Sequence, residues 1–237
     1  MKKNVRRLAV AVAVCASFVA GPAHAQSGTN LTWDDCVGSG NESDNKLVAC
    51  TNSGTFNLLC SFASPVDIPN LAAVDAFMDV KAISGDISPW WSETGRWTGD
   101  ATNSTGASCG IELLSQAPSG PVVLVSVHTV APNRIRVRTS IALVPGEEQA
   151  VVAGQEYYSH TLQLHFRAGT ADDPGCAAPA CFAMVDLILI APGAADTHIP
   201  YPLVQNAVGW QSGFPGPCIF YSPTAKNTWG QIKAIYR

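Results

Sequence analysis

The chain has 237 residues with 14 Lys and Arg against 18 Asp and Glu, a formal net charge of −4. An acidic balance argues against broad nucleic-acid binding and against adhesion to anionic lipid. Charged residues make up only 14% of the composition, whereas Gly (20) and Pro (16) are plentiful, which suits short strands joined by tight turns.

Residues 1–25 have the anatomy of a secretory signal peptide. Lys2, Lys3, Arg6 and Arg7 precede an apolar run from Leu8 to Ala20, and Ala23-His24-Ala25 supplies the small residues of a cleavage site. The run is too short to cross a membrane, and no later apolar stretch approaches the required length. Residues 26–237 are therefore expected to form a single domain outside the cytoplasm, whether extracellular, periplasmic or at the cell surface. Removing the leader takes away its four cations and leaves 10 Lys and Arg against 18 acids, a net charge of −8.

Cys15 leaves with the leader, so seven cysteines remain: Cys36, Cys50, Cys60, Cys109, Cys176, Cys181 and Cys218. An oxidising compartment favours disulfides, and an odd number leaves one thiol over. Cys36 and Cys50 flank the polar loop from Gly38 to Lys46 and read as a local bridge. The cluster Asn41-Glu42-Ser43-Asp44-Asn45, like Asp172-Asp173 further on, offers oxygen ligands of the kind calcium prefers. It lacks EF-hand spacing, and turns favour the same residues, so no metal or cofactor is assigned.

The first clear strand is Phe56–Phe62. Phe56, Leu58, Cys60 and Phe62 share one face, because side chains alternate along a strand, so Cys60 is expected to be the free thiol, buried in the core. A second strand is expected over Ala76–Ile83. Then come Trp90, Trp91, Arg96 and Trp97, which Pro89 and Gly95 put in or near a loop. Exposed rings there would stack against sugars, with Arg96 as a donor beside them; buried rings would plug one end of the core. On an extended segment neighbours point to opposite sides, so one of Trp90 and Trp91 is expected to be exposed and the other buried.

A weak strand near Gly110–Leu114 precedes the most legible part of the chain. Val123, Val125 and Val127 alternate with Leu124, Ser126 and His128, and Ala131-Pro132-Asn133 makes a turn. Ile135, Val137, Thr139, Ile141 and Leu143 then alternate with Arg134, Arg136 and Arg138. Two such runs predict an antiparallel hairpin with one wet face. The three arginines form either an anion-binding patch or a ladder paired with acids such as Glu147 or Asp186.

The next strand, Tyr157–Phe166, carries His160 and His165 five apart, on opposite faces, which rules out joint metal binding. By parity His160 shares its face with Tyr158, Leu162 and Leu164. Cys176 and Cys181 are separated by four residues including Pro179; structural zinc wants two, so a local disulfide is the better reading. Cys109 and Cys218 would then pair by elimination. A last strand is expected at Phe182–Ala191. In Asn227–Arg237 the spacing of Trp229, Ile232 and Tyr236 predicts a short C-terminal helix. The whole reads as all-β, an antiparallel two-sheet sandwich of the jelly-roll or immunoglobulin kind with that helix appended.

Several short motifs carry a resemblance: Trp33-Asp34-Asp35-Cys36, Ala49-Cys50-Thr51-Asn52-Ser53-Gly54, Trp90-Trp91, Gly154-Gln155-Glu156-Tyr157-Tyr158 and Thr228-Trp229-Gly230-Gln231-Ile232-Lys233. They resemble a group of secreted bacterial β-rich proteins to which no activity is attached. The resemblance spans most of the mature chain and implies one bacterial extracytoplasmic domain. Cys60 departs from the pattern, where a small residue is expected.

No catalytic signature stands out. Gly209-Trp210-Gln211-Ser212-Gly213 has the wrong spacing for a nucleophile elbow, and neither H-E-x-x-H nor a phosphate-binding loop occurs. The chain reads as a secreted structural or binding module recognising a carbohydrate, another extracellular polymer or a cell-surface component. The alternatives are a hydrolase acting on polysaccharide or peptide, and a subunit of a surface assembly. Each has a structural mark: exposed tryptophans on a flat surface for the binder, a cleft with two spaced carboxylates for the glycosidase, and a long unpaired apolar edge strand for the assembly subunit.

Overall fold

The computed structural model describes residues 27–50, 54–92, 96–101, 109–166, 175–199 and 202–212. The expected C-terminal helix lies outside them. In chain order the strands are β1 (Gly28–Trp33), β2 (Asn45–Lys46), β3 (Gly54–Ala63), β4 (Ile68–Leu71), β5 (Ala73–Ala82), β6 (Trp97–Asp100), β7 (Ile111–Glu112), β8 (Val122–Ala131), β9 (Arg134–Ala142), β10 (Gln149–Val151), β11 (Glu156–Phe166), β12 (Ala180–Ile190), β13 (Thr197–His198) and β14 (Ala207–Trp210). Two 3-10 turns, Pro89–Ser92 and Leu114–Gln116, interrupt them.

The strands form two principal sheets, as an all-β sandwich requires. The smaller runs β1-β3-β11-β6, with β7 also on β11; the larger runs β2-β14-β12-β5-β9-β8, with β13 on β12. The ribbon β4–β10 stands apart from both. Neighbours are antiparallel except where the two-residue strands β7 and β2 pair parallel with β11 and β14.

Alternation decides which side chains meet between the sheets. Leu31, Trp33, Leu58, Cys60, Phe62, Leu162 and Leu164 come from the small sheet, and Val74, Met78, Val80, Ile135, Val137, Ile141, Phe182 and Leu189 from the large one, all in one buried cluster. Each large apolar side chain taken from water contributes roughly 1.5–3 kcal/mol. Gly99 allows the sheets to approach closely: a Cβ there would lie 2.6 Å from Val123 Cγ1 and 3.0 Å from Val125 Cγ2. That approach brings β6 against the inner side of β8.

The disulfides are long-range. Cys36 pairs with Cys109 and Cys50 with Cys176, at sequence separations of 73 and 126. The expected local bridges, Cys36–Cys50 and Cys176–Cys181, are therefore incorrect, and Cys109 is not the partner of Cys218. Proximity along the chain misled because the pairs staple different elements of the fold. Cys36–Cys109 lies with Leu59 and Tyr158 in a second, smaller buried cluster. Cys181 is also disulfide-bonded, with its partner outside the described residues. Among the described residues Cys60 is the free thiol, and it is buried.

Candidate functional site

The aromatic segment is interior. Trp90, Trp91 and Trp97 are 2%, 1% and 5% exposed, and Arg96 is 6% exposed. The expected split between Trp90 and Trp91 fails because Pro89–Ser92 is a 3-10 turn rather than an extended stretch, so consecutive side chains do not point to opposite sides. Trp91 sits at the centre of an aromatic cluster, with ring centroids 5.3 Å from Phe182, 5.7 Å from Trp210 and 6.1 Å from Trp97. Trp33 joins through Phe182 and Trp210. Trp97 Nε1 donates to the Trp91 carbonyl, and Trp210 Nε1 to that of Cys176, so these indoles keep a hydrogen bond inside the core. The Arg96 guanidinium stacks 4.8 Å over Trp90. As placed, Trp90, Trp91, Arg96 and Trp97 plug one end of the sandwich and offer no stacking platform to a sugar.

The arginine ladder is on the outer face of the large sheet, as alternation predicted, but its partners are different acids. Arg136 binds Asp79 through Nε (2.6 Å) and Nη2 (3.0 Å), and Arg134 approaches the same carboxylate at 3.3 Å. Arg138 donates to Asp75 at 2.6 Å and lies 5.5 Å over the Phe77 ring. Asp75 and Asp79 sit opposite the ladder on β5, in register with Ser140 and Arg136. The hydrogen bonds that Arg136 donates to Asp79 raise the Arg136 pKa further, with the negative charges of Asp79 and Asp186 adding to the effect. Glu147 instead accepts from the backbone and hydroxyl of Ser119, while Asp186 pairs with His198. Asp79 is completely buried, so two guanidiniums are committed to neutralising it. The ladder is thus internally paired, which leaves little charge for an external anion.

The histidines divide by burial. A register shift between Tyr158 and His160 leaves Ser159 as an extra residue on β11. Tyr158 therefore turns to the outer face, beside Leu59, while His160 turns inward opposite Cys60. The expectation that His160 and Tyr158 share a face misses this bulge. His160 Nδ1 lies 2.9 Å from Ser159 Oγ. Burial pushes the His160 pKa down to about 4 and the Cys60 thiol pKa upward. A cysteine–histidine nucleophile needs a thiolate, and desolvation of both groups opposes one here. His165 stays on the outer face between Thr55 and Thr98.

In the acidic loop Glu42 turns back onto the backbone, and hydrogen bonds from its own amide and from those of Gly38 and Gly40 lower its pKa. No group of three metal-ligating side chains occurs among the described residues. No described helix is long and apolar enough to cross a membrane.

The feature that remains is β8. It is the outermost strand of the large sheet and pairs with β9 from Val122↔Ala142 to Ala131↔Arg134. Its sequence, VVLVSVHTVA, contains no charge, glycine or proline. Val122, Leu124 and Val130 are 56%, 67% and 41% exposed. Val123, Val125 and Val127 face inward but are only partly buried. Among the described residues no backbone hydrogen bond reaches β8 from its open side. Exposed edges are usually blunted by lysine, proline, bulges or a covering segment. Among the described residues only one such device is present, a register shift between Thr129 and Ala131. The regular stretch 122–129 offers roughly 26 Å of unpaired edge.

No family model matches the chain, and no curated protein matches it either. Among solved structures it is similar to a cohesin module from a family 33 glycoside hydrolase of Clostridium perfringens, at 9% identity and TM-score 0.36, covering 78% of this chain and 97% of that one. It is also similar to the second type II cohesin module of the cellulosomal adaptor ScaA scaffoldin of Acetivibrio cellulolyticus, at 9% identity and TM-score 0.38 over 81% and 98%. A third likeness is to the C-terminal domain of the Streptococcus pyogenes antigen I/II-family protein AspA, at 11% identity and TM-score 0.30 over 78% and 46%. At these scores likeness carries no functional argument, so function is read from the surfaces of this chain.

Proposed function

We propose that the protein is a secreted assembly module, exported by its leader and joined to another polypeptide by strand addition at β8. The observation that carries this reading is the long, uncharged, apolar edge of the large sheet. An edge of this kind binds an extended segment through its main-chain groups, while alternate side chains supply specificity. The disulfides between distant elements suit an oxidising compartment. The carbohydrate reading loses the residues on which it rested, because the tryptophans lie in the core.

A photo-crosslinking residue at Ser126, in protein expressed by the bacterium that makes it, tests the proposal. Ultraviolet light should join Ser126 to an extended polypeptide segment that mass spectrometry can map, while the same probe at the Gly146 turn gives no such product. Glycan adducts alone, or no adduct from Ser126, would contradict strand addition. N-terminal sequencing of the exported protein should begin at Gln26.

A further inference from the structure

We infer that the segment received by β8 is β8 of a second copy, so that two sandwiches join edge to edge about a two-fold axis at Ser126. The inference rests on the reading of β8 as a docking edge and adds the identity of the occupant.

The pattern of β8 is self-complementary. Antiparallel pairing about Ser126 sets Leu124 opposite His128 on the outer face, with Ser126 opposite itself, and brings Val122 to the bulge at Val130. On the inner face Val125 meets Val127, and Val123 meets Thr129. Within the regular stretch each residue shares a face with its partner, as a two-fold axis requires. Cross-strand apolar pairs stabilise a sheet, whereas like charges directly opposite destabilise it. β8 carries no Asp, Glu, Lys or Arg, so the acidic excess of the mature chain has no representative at the seam. The nearest arginines, Arg136 and Arg138, stand one strand inward and are already paired with Asp79 and Asp75.

The inner face supplies a second argument. Val123, Val125 and Val127 pack against the core yet remain partly exposed at the rim of the sandwich. A second copy would cover them with their own equivalents and carry the apolar layer across the junction. A foreign strand would have to reproduce the same uncharged alternation; an identical chain does so automatically.

Sedimentation equilibrium of the mature protein over a wide concentration range tests the inference. The weight-average mass should rise from that of one protomer toward twice that value. Leu124→Lys should hold the protein monomeric and, at a dilution where the parent is also monomeric, leave the thermal melt unchanged, because Leu124 is 67% exposed. Should that variant aggregate, Ser126→Glu provides the same test. Under mild oxidation Ser126→Cys should form a covalent dimer, while the parent does not, since Cys60 is buried. A protein monomeric at every concentration, or a dimer indifferent to Leu124→Lys, overturns the inference. A dimer abolished by Leu124→Lys but never trapped through Ser126→Cys overturns the stated axis. Monomeric protein that still crosslinks from Ser126 to a different polypeptide in cells removes the second copy and keeps the docking reading; monomeric protein with no crosslink removes both.

Discussion

β1 and β8 are both outermost strands, and the chain treats them in opposite ways. All six residues of β1 are buried. Its outward backbone groups are taken up from the side: Leu31 N donates to the Gln205 carbonyl, Leu203 N to that of Thr29, and Trp33 and Ser43 exchange a pair of bonds. Asn30 fastens the covering segment by accepting from the amides of Val204 and Gln205. β8 is longer, at ten residues, alternates between exposed and half-buried positions, and has no comparable cover among the described residues. Closing an edge takes a dedicated segment with its own hydrogen bonds. Among the described residues the fold builds one such cover and not the other, and the proposal of a partner at β8 rests on that contrast.

The largest expected contrast is in the packed side chains of the two strands. Trp33→Ala should cost about 3–5 kcal/mol in chemical denaturation, because the ring is fully buried among Phe182 and Trp210. Leu124→Ala, measured on dilute protein, should stay within about 0.5 kcal/mol. A comparable loss at both positions would show β8 to be as covered as β1.

Next in size are the disulfides. Cys36 lies just beyond β1, so replacing both Cys36 and Cys109 by serine should lower stability by about 2–4 kcal/mol. Peptide mapping without reduction should return Cys36–Cys109 and Cys50–Cys176, and should join Cys181 to Cys218. Cys60 should accept an alkylating reagent only after unfolding.

A smaller effect is expected from acid. His160 has a folded pKa of about 4, below the ordinary 6.5, so the unfolded chain takes up the proton first. The contribution of His160 to stability is full above pH 6.5, declines as the pH falls toward 4, and is flat below that value. Denaturation midpoints of the parent and His160→Gln across this window check the sign: the difference between them should narrow on acidification. The smallest effect is at the ladder beside β8. Arg138→Ala should cost no more than about 1 kcal/mol, since the pair with Asp75 is partly exposed.

Much of the large sheet was legible in the sequence because one of its faces is wet. The hairpin expected from Val122 to Val144 appears as β8 and β9 around the Ala131-Pro132-Asn133 turn, with the valines and arginines on the expected faces. β3, β5, β11 and β12 also fall close to their expected bounds. β1 escaped notice because its faces and its edge are all covered, so burial leaves no polar alternation to read. The tryptophans were misplaced through local geometry, a tight turn where an extended segment was expected. The disulfide pairs join residues 73 and 126 apart, and spacing carries no information about such distances. The absence of charge along VVLVSVHTVA was visible from the start. Its position at the sheet edge was not, because strand order is set by contacts between remote segments.

Hydrogen exchange resolved residue by residue, at low and at high protein concentration, tests the open edge most directly. At low concentration alternate amides of β8, those pointing away from β9, should exchange freely, while the amides of Leu31 and Trp33 in β1 remain protected. At high concentration the β8 amides should become protected and those of β1 should not change. Uniform protection of β8 in dilute monomer would mean that the chain covers this edge itself and would contradict the account.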